Sequence, residues 1–176
     1  TKSGAPPGGL YGLVATIIKL VGDLKPDYLV AGYDLPEPTF RKVAYERYKA
    51  GRKPTETSLV TQIERSRELF LALNIPVYEK AGFEADDIIG TIAERAKKQT
   101  DLKIIIASGD LDTLQLVDRE QVQVYTFKKG LNDTILYNEA AVKTRFGFEP
   151  KLLPDWKGLC GDPSDNIIGI VGIGEK

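Results

Sequence analysis

KIIIASGDLD, residues 103–112, is the stretch that decides the fold, because an apolar run of strand length leads directly into Asp110 and Asp112. Consecutive isoleucines without polar alternation indicate a strand that is buried on both faces, as in a parallel sheet. A short helix is predicted to follow over residues 110–117. In open α/β sheets, ligands bind beyond the carboxyl ends of the strands. The stretch therefore predicts an α/β domain with acidic residues at its functional edge.

On both sides of this stretch, predicted strands and helices alternate along the chain. Further strands are predicted at residues 27–33, 75–78, 122–127 and 134–137, the last two forming a hairpin. Helices are predicted at residues 10–21, 58–73, 85–98 and 138–146, with Ser58 and Asn138 as N-caps and with the first helix largely buried. This alternation predicts a three-layer α/β fold with a mainly parallel sheet.

Composition excludes several kinds of chemistry. None of the 176 residues is histidine, which excludes Ser-His-Asp systems and histidine-ligated zinc. Cys160 is the single cysteine, so an internal disulfide is excluded and a reducing cytoplasm is expected. No apolar run is long enough to span a bilayer, and no membrane partner is expected. Because methionine is also absent, we expect that residue 1 is not the natural start.

Acidic residues recur where the predicted strands end. They are Asp34, then Glu84, Asp86 and Asp87, then Asp110 and Asp112. Converging carboxylates repel one another, so such a site is stable only when cations bind to it. Oxygen ligands without histidine favour two Mg²⁺ or Mn²⁺ ions, which at about 4 Å separation can promote phosphodiester hydrolysis. Taken alone, Glu84, Asp86 and Asp87 are more often helix-capping acids and Asp34 is more often a turn residue, while Asp110 and Asp112 fit a capped turn as well as a site, so the prediction depends on their joint placement.

A basic and aromatic segment, FRKVAYERYKAGRK at residues 40–53, follows the first of these acids. Arg41, Tyr45, Tyr48 and Arg52 have helical spacing and are predicted to share a face. Arginine and lysine neutralise phosphates, and aromatic rings stack on unpaired bases. The alternative is a solvated basic helix whose tyrosines pack on the core.

The C-terminal stretch GDPSDNIIGIVGIGEK, residues 161–176, is the most specific motif. Gly172 and Gly174 allow tight turns, and the helix start predicted after them would present free N–H groups to a DNA phosphate. Asp162 and Asp165 are unexpected in a loop that binds phosphate, but they fit if they face metal ions while the glycine turn holds the duplex. A glycine-rich structural turn is the alternative.

Six motifs occur in one order along the chain. They are YD at 33–34, FR at 40–41, YKAGR at 48–52, EADD at 84–87, GDLD at 109–112 and GDPSDN through GIGEK at 161–176. Together they resemble the 5′-nuclease (flap endonuclease) family, most closely the N-terminal 5′→3′ exonuclease domains of bacterial DNA polymerases of type I. The resemblance implies a PIN-like fold and hydrolysis of DNA near a free 5′ end or flap, in primer removal and repair, with Mg²⁺ or Mn²⁺ as cofactor.

The resemblance also implies roles for individual residues. Asp34, Glu84 and Asp86 would bind the first metal ion, with Asp87 close by, and Asp110, Asp112 and Asp165 the second, supported by Asp162. The catalytic set would be Lys49, Arg52, Asp34 and Asp112. DNA would be bound by Arg41, Tyr45, Tyr48, Lys49, Arg52, Gly172, Gly174 and Lys176. In this family the glycine-rich turn often holds K⁺.

The same resemblance implies two structural parts, a catalytic domain and a DNA-binding element. Residues 1–160 would form the catalytic domain, including a helical arch at 36–54, and residues 161–176 the beginning of a helix–three-turn–helix. The family's first strand, which carries an Asp-Gly pair, is expected before residue 1. A polymerase domain in the same full-length chain and a bacterial, nucleoid-associated location fit this resemblance. Two alternatives stay open: a fragment that binds branched DNA without cutting it, and a PIN-type ribonuclease.

Overall fold

The computed structural model describes residues 8–130 and 133–174. The helices are α1 Gly8–Leu24, α2 Phe40–Ala44, α3 Thr57–Ala72, α4 Ala85–Ala96, α5 Glu139–Phe146 and α6 Leu153–Cys160, with 3-10 helices at Leu111–Leu116 and Pro150–Leu152. The strands are β1 Ala31–Gly32, β2 Val77–Tyr78, β3 Ile104–Ala107, β4 Val122–Lys129, β5 Asp133–Tyr137, β6 Gly161–Asp162 and β7 Ile167–Ile168. The predicted α/β class is confirmed.

The strands that lead into the predicted site pair in parallel, as the apolar runs indicate. β1 pairs with β2 and β3 pairs with β4, both in parallel. β4 and β5 form the predicted antiparallel hairpin. An apolar cavity of about 390 Å³ is lined by β1 and β3 together with side chains of α1, α3 and α4. β1 and β3 therefore lie on the same cavity without being hydrogen-bonded neighbours.

The core packs around β4 and fixes the loop that follows β3. Val122 and Val124 of β4, Val142 of α5 and Leu114 of the first 3-10 helix are fully buried. Leu114 anchors this 3-10 helix, which begins directly after Asp110. Burying such a side chain stabilises the fold by roughly 1.5–3 kcal/mol. The position of the acidic loop is thus determined by the core beneath it.

Two local predictions for the helices are wrong. In α1 only Ile17 is buried, while Tyr11 and Ile18 are 76% and 67% exposed. α1 packs against α3 along one side, so a helix that is apolar on most sides leaves much of its surface uncovered. α3 begins at Thr57 with Glu56 in the N-cap position, not at Ser58. Within the described residues, no helix combines the length and apolarity that crossing a bilayer requires.

The basic segment forms only one short helix, α2, and continues as turns. Tyr45 adopts extended backbone angles, and Lys49 has a left-handed φ of 56°. The predicted helical face shared by Arg41, Tyr45, Tyr48 and Arg52 is therefore wrong. A non-glycine residue in the left-handed region cannot continue a helix, and tertiary contacts described below hold the turn in place.

Candidate metal and nucleic-acid site

The carboxyl end of β1 meets the N-terminus of α4. Asp34, two residues after β1, accepts a 2.8 Å hydrogen bond from the backbone N–H of Ala85. Glu84 is the N-cap of α4, and Asp86 and Asp87 lie in its first turn. Acidic side chains are favourable at this end of a helix because free N–H groups carry partial positive charge. The capping interpretation and the functional one therefore apply to the same residues.

The carboxylate of Asp86 is repelled by acidic residues from three separate stretches of the chain. Burial raises the pKa of its carboxyl, and the charges of Asp110, Asp34 and Glu84 raise it further, to about 6, while Lys49 opposes the shift. The structure thus brings the ends of β1 and β3 and the start of α4 within electrostatic range of one another. Carboxylates that lie close enough to repel one another are typical of a site that binds cations.

Three side chains of the basic segment lie on this acidic cluster. Arg41 donates two hydrogen bonds to Asp87, at 2.6 and 2.7 Å. Tyr48 and Lys49 each donate a 3.0 Å hydrogen bond to Glu84. The Arg41 guanidinium holds the pKa of the Asp87 carboxyl below its usual range. Burial, together with the charge of Glu84, raises the pKa of the Tyr48 hydroxyl, so this hydroxyl stays protonated as a donor.

A second cluster forms at the loop after β3. The Asp110 carboxylate accepts a 2.9 Å hydrogen bond from the N–H of Asp112 and so caps the 3-10 helix. Lys157 of α6 forms ion pairs with Asp112 and with Asp162, the latter at 2.7 Å. Although burial raises the pKa of Asp162, hydrogen bonds from Lys157 and Ser164 lower it to about 2.

The turn of the basic segment docks on the loop after β6. Arg52 pairs with Asp165 at 2.6 Å, and the N–H of Lys49 donates to the carbonyl of Asp165 at 3.0 Å. Tyr45 donates to the carbonyl of Asn166 at 3.1 Å, and the Asn166 amide donates to the carbonyl of Arg47 at 2.8 Å. These contacts join the segment predicted to bind DNA with the loop predicted to bind metal.

Glycines shape the C-terminal loop. A Cβ at Gly161, whose φ is 82°, would lie 2.5 Å from the backbone nitrogen of Gly169, so no larger residue fits there. Gly172 has a φ of 88°, which agrees with a tight turn. Gly174 is exposed close to it. Lys176 and the helix predicted after Gly174 lie outside the described residues.

The donor set fits a hard divalent cation. All candidate ligands are carboxylates, and Asp86 is held in a repulsive environment that a cation would relieve. Among residues 8–130 and 133–174, however, no group of three or more acidic, cysteine or histidine side chains is already arranged to hold an ion. Arg41, Lys49, Arg52 and Lys157 form ion pairs with these carboxylates instead. These basic groups neutralise the carboxylates in the structure.

Lys157 is the functional candidate that the sequence motifs did not indicate. It lies in LPDWKGLC, a stretch with no acidic motif of its own, and it reaches both acids only because α6 packs beside the 3-10 helix. Its spacing of five residues before Asp162 is the single local signal. That spacing alone is too common to identify a role.

A protein-family model matches most of the chain and so identifies its family. The model of the 5′-3′ exonuclease N-terminal resolvase-like domain matches residues 1–147. The chain belongs to this family.

Curated relatives of this exonuclease-domain chain are DNA polymerases I. The chain is 43% identical to DNA polymerase I of Caldicellulosiruptor bescii over 100% of its own length and 21% of that protein. It is 38% identical to DNA polymerase I of Mycobacterium tuberculosis, covering 100% of the chain and 19% of the relative. The chain thus spans about a fifth of the length of the relatives that it matches.

Solved structures support the fold. A structure of the T5 D15 protein co-crystallised with metal ions has a TM-score of 0.76 at 24% identity, covering 92% of this chain and 62% of that one. The T5 5′-exonuclease with bound zinc has a TM-score of 0.76 at 23% identity, covering 98% and 65%. The 5′-nuclease type of fold expected from the motifs is confirmed.

Proposed function

We propose that this exonuclease-domain chain hydrolyses DNA phosphodiesters near a free 5′ end or 5′ flap, with two divalent metal ions, Mg²⁺ or Mn²⁺. The observation that carries the proposal is the meeting of three acidic stretches at the carboxyl ends of β1 and β3, directly beneath a basic segment. Within the family, this combination suits a reaction in which a phosphate bridges metal ions and basic side chains. In a bacterium it would act in primer removal and repair.

Two groups of carboxylates would hold the ions. Asp34, Glu84 and Asp86 would hold the first ion, and Asp110, Asp112 and Asp165 the second, with Asp87 and Asp162 supporting. Bound divalent ions lower the pKa of a coordinated water and neutralise charge on the scissile phosphate. Asp87 supports the first group by orienting Arg41 and by accepting a 2.9 Å hydrogen bond from the N–H of Glu84.

The basic segment would bind the substrate phosphates. Lys49 and Arg52 now pair with Glu84 and Asp165, and their positive charges would turn to the phosphate when metal ions neutralise these acids. Arg41 would stay paired with Asp87 and contact DNA less than Lys49 and Arg52 do, because both of its hydrogen bonds to Asp87 are short. Tyr45 and Tyr48 line the same segment, and Gly172 and Gly174 would hold the duplex, with Lys176 beside them and K⁺ in the turn.

Cleavage of a labelled 5′-flap DNA tests the proposal. With Mg²⁺, the chain should release the flap, leaving a 5′-phosphate and a 3′-hydroxyl. Asp112→Asn should abolish release while retaining DNA binding, and Asp101→Asn, at an exposed position, should cleave normally. Unchanged cleavage by Asp112→Asn would contradict the assignment. Preference for single-stranded RNA over flap DNA would indicate a PIN-type ribonuclease instead.

A second candidate function is binding of branched DNA without cleavage. It is favoured by one observation: within the described part of the chain, no three acids are grouped tightly enough to hold an ion without rearrangement. Parallel flap-cleavage assays on this chain and on one extended at its N-terminus would separate the two. Binding by both proteins with no cleavage in Mg²⁺ or Mn²⁺ would support this candidate.

A further inference from the structure

The strongest feature outside the predicted site is Lys157. Its ammonium lies between Asp112, on the 3-10 helix after β3, and Asp162, in β6. The Asp162 side chain is only 8% exposed and that of Lys157 only 28%. This ion pair therefore differs from the exposed pairs on the surface, such as the one between Lys151 and Glu149, in which the lysine is 76% exposed.

Packing fixes the direction from which Lys157 approaches. Its neighbour Trp156 contacts Phe146 and Phe148 with ring centroids 5.7 and 6.0 Å apart, and Leu153 of the same helix is buried. α6 is therefore held against the core on the side next to the lysine. The lysine stem leaves a packed helix, and its ammonium contacts both carboxylates.

The hydrogen bonds of Asp162 divide between its two oxygens. Oδ1 accepts from the N–H of Ser164 at 2.9 Å and from the Ser164 hydroxyl at 2.7 Å, whereas Oδ2 accepts from Lys157. Departure of the ammonium would leave Asp162 in position, because Ser164 still holds it. It would free Oδ2 and an oxygen of Asp112 at the same time.

We propose that Lys157 is a built-in counter-ion of the second metal site, which the divalent cation must displace from Asp112 and Asp162. This inference rests on the proposed function, because it takes Asp112 as a ligand of that site. The cation brings two positive charges in place of the single charge of the Lys157 ammonium. The local excess of negative charge favours this exchange. Lys157 is thus a positioning residue that holds the two acids next to each other by screening their repulsion, and it sets the affinity of the second ion.

Metal binding measured without DNA tests the proposal. Free Mn²⁺ is titrated by electron paramagnetic resonance into the full chain, with Asp112→Asn identifying the second ion. Lys157→Met should bind this ion about three- to tenfold more tightly, the size expected for loss of a partly exposed competing ion pair. Lys157→Arg, which keeps the charge, should stay within about twofold of the wild type, as should the matched control Lys151→Met. Equal or weaker binding by Lys157→Met overturns the proposal.

A second measurement uses the unaltered protein, so it does not depend on the folding of a variant. Lysines are acylated with an amine-reactive reagent and quantified by mass spectrometry, with EDTA or with saturating Mg²⁺. Acylation of Lys157 should increase several-fold with Mg²⁺, whereas that of Lys151 should not change. Acylation of Lys157 that stays constant while the second ion binds overturns the lysine's role and leaves the proposed function intact. If no Mn²⁺ binding depends on Asp112, both fail.

Discussion

Arg52 and Asp165 form a 2.6 Å ion pair that joins the basic segment to the loop after β6. The sequence motifs assign these two residues to different partners, Arg52 to a DNA phosphate and Asp165 to a metal ion. In the structure each neutralises the other. Lys49 and Glu84, and likewise Lys157 and Asp162, neutralise each other in the same way. The acidic residues of the site therefore already have basic counter-charges within the chain.

Arg52→Met should weaken binding of flap DNA and reduce its dependence on salt. An arginine that contacts a phosphate releases about one counter-ion, so the slope of log K against log salt should fall by about 1. Fluorescence anisotropy at several KCl concentrations measures both effects. Arg119→Met is the matched control, because Arg119 is 88% exposed. An unchanged slope for Arg52→Met would place Arg52 outside the DNA contact.

Lys49→Met should slow cleavage far more than it weakens binding. Lys49 lies on Glu84 and opposes the raised pKa of Asp86, so its charge is next to the acids that would hold the first ion. Removing one preorganised donor from a reacting centre typically costs about 10²–10³ in rate. Single-turnover cleavage with excess protein measures the loss, and the control Lys151→Met, at a lysine that is 76% exposed and outside the basic segment, should be within about twofold of the wild type. If Lys49→Met lowered the affinity for flap DNA by the same factor as the cleavage rate, Lys49 would only bind DNA.

The sequence predicted the acidic edge because strand period and strand length are local properties. Residues 103–108 have a strand pattern that is followed by Asp110 and Asp112, and the structure has β3 and its acidic loop there. The shape of the basic segment could not be predicted in this way. The left-handed backbone at Lys49 and the contacts of Tyr45 with Asn166 are tertiary, and they override a helical spacing. Lys157 was missed for the same reason, since its partners come from other elements.

Arg41 and Asp87 should show a measurable coupling free energy. Their bidentate pair is partly buried, with side chains 33% and 21% exposed, so we expect about 1 kcal/mol from a double-mutant cycle of Arg41→Met and Asp87→Asn. The pKa of Asp87 is lowered, so this contribution is present above the unfolded pKa near 3.8 and is lost as pH falls through the folded pKa below it. Urea unfolding at pH 7 and pH 3 measures the coupling. A coupling that is equal at both pH values would contradict this interpretation.

Asp86→Asn should stabilise the chain in EDTA at neutral pH. The folded-state pKa of Asp86 is raised from 3.8 to about 6, so ionisation destabilises the fold increasingly as pH rises from 3.8 to 6, and fully above that. The asparagine removes a penalty of at most about 3 kcal/mol, which corresponds to a gain of at most roughly 10 °C in melting temperature. Differential scanning fluorimetry should therefore give a gain at pH 7.5 and none near pH 3.5, with Asp101→Asn as an exposed control. Saturating Mg²⁺ should reverse the order at pH 7.5, because only the wild type keeps the carboxylate ligand. A gain for Asp86→Asn that is independent of both pH and Mg²⁺ would show that Asp86 is neither strained nor a metal ligand.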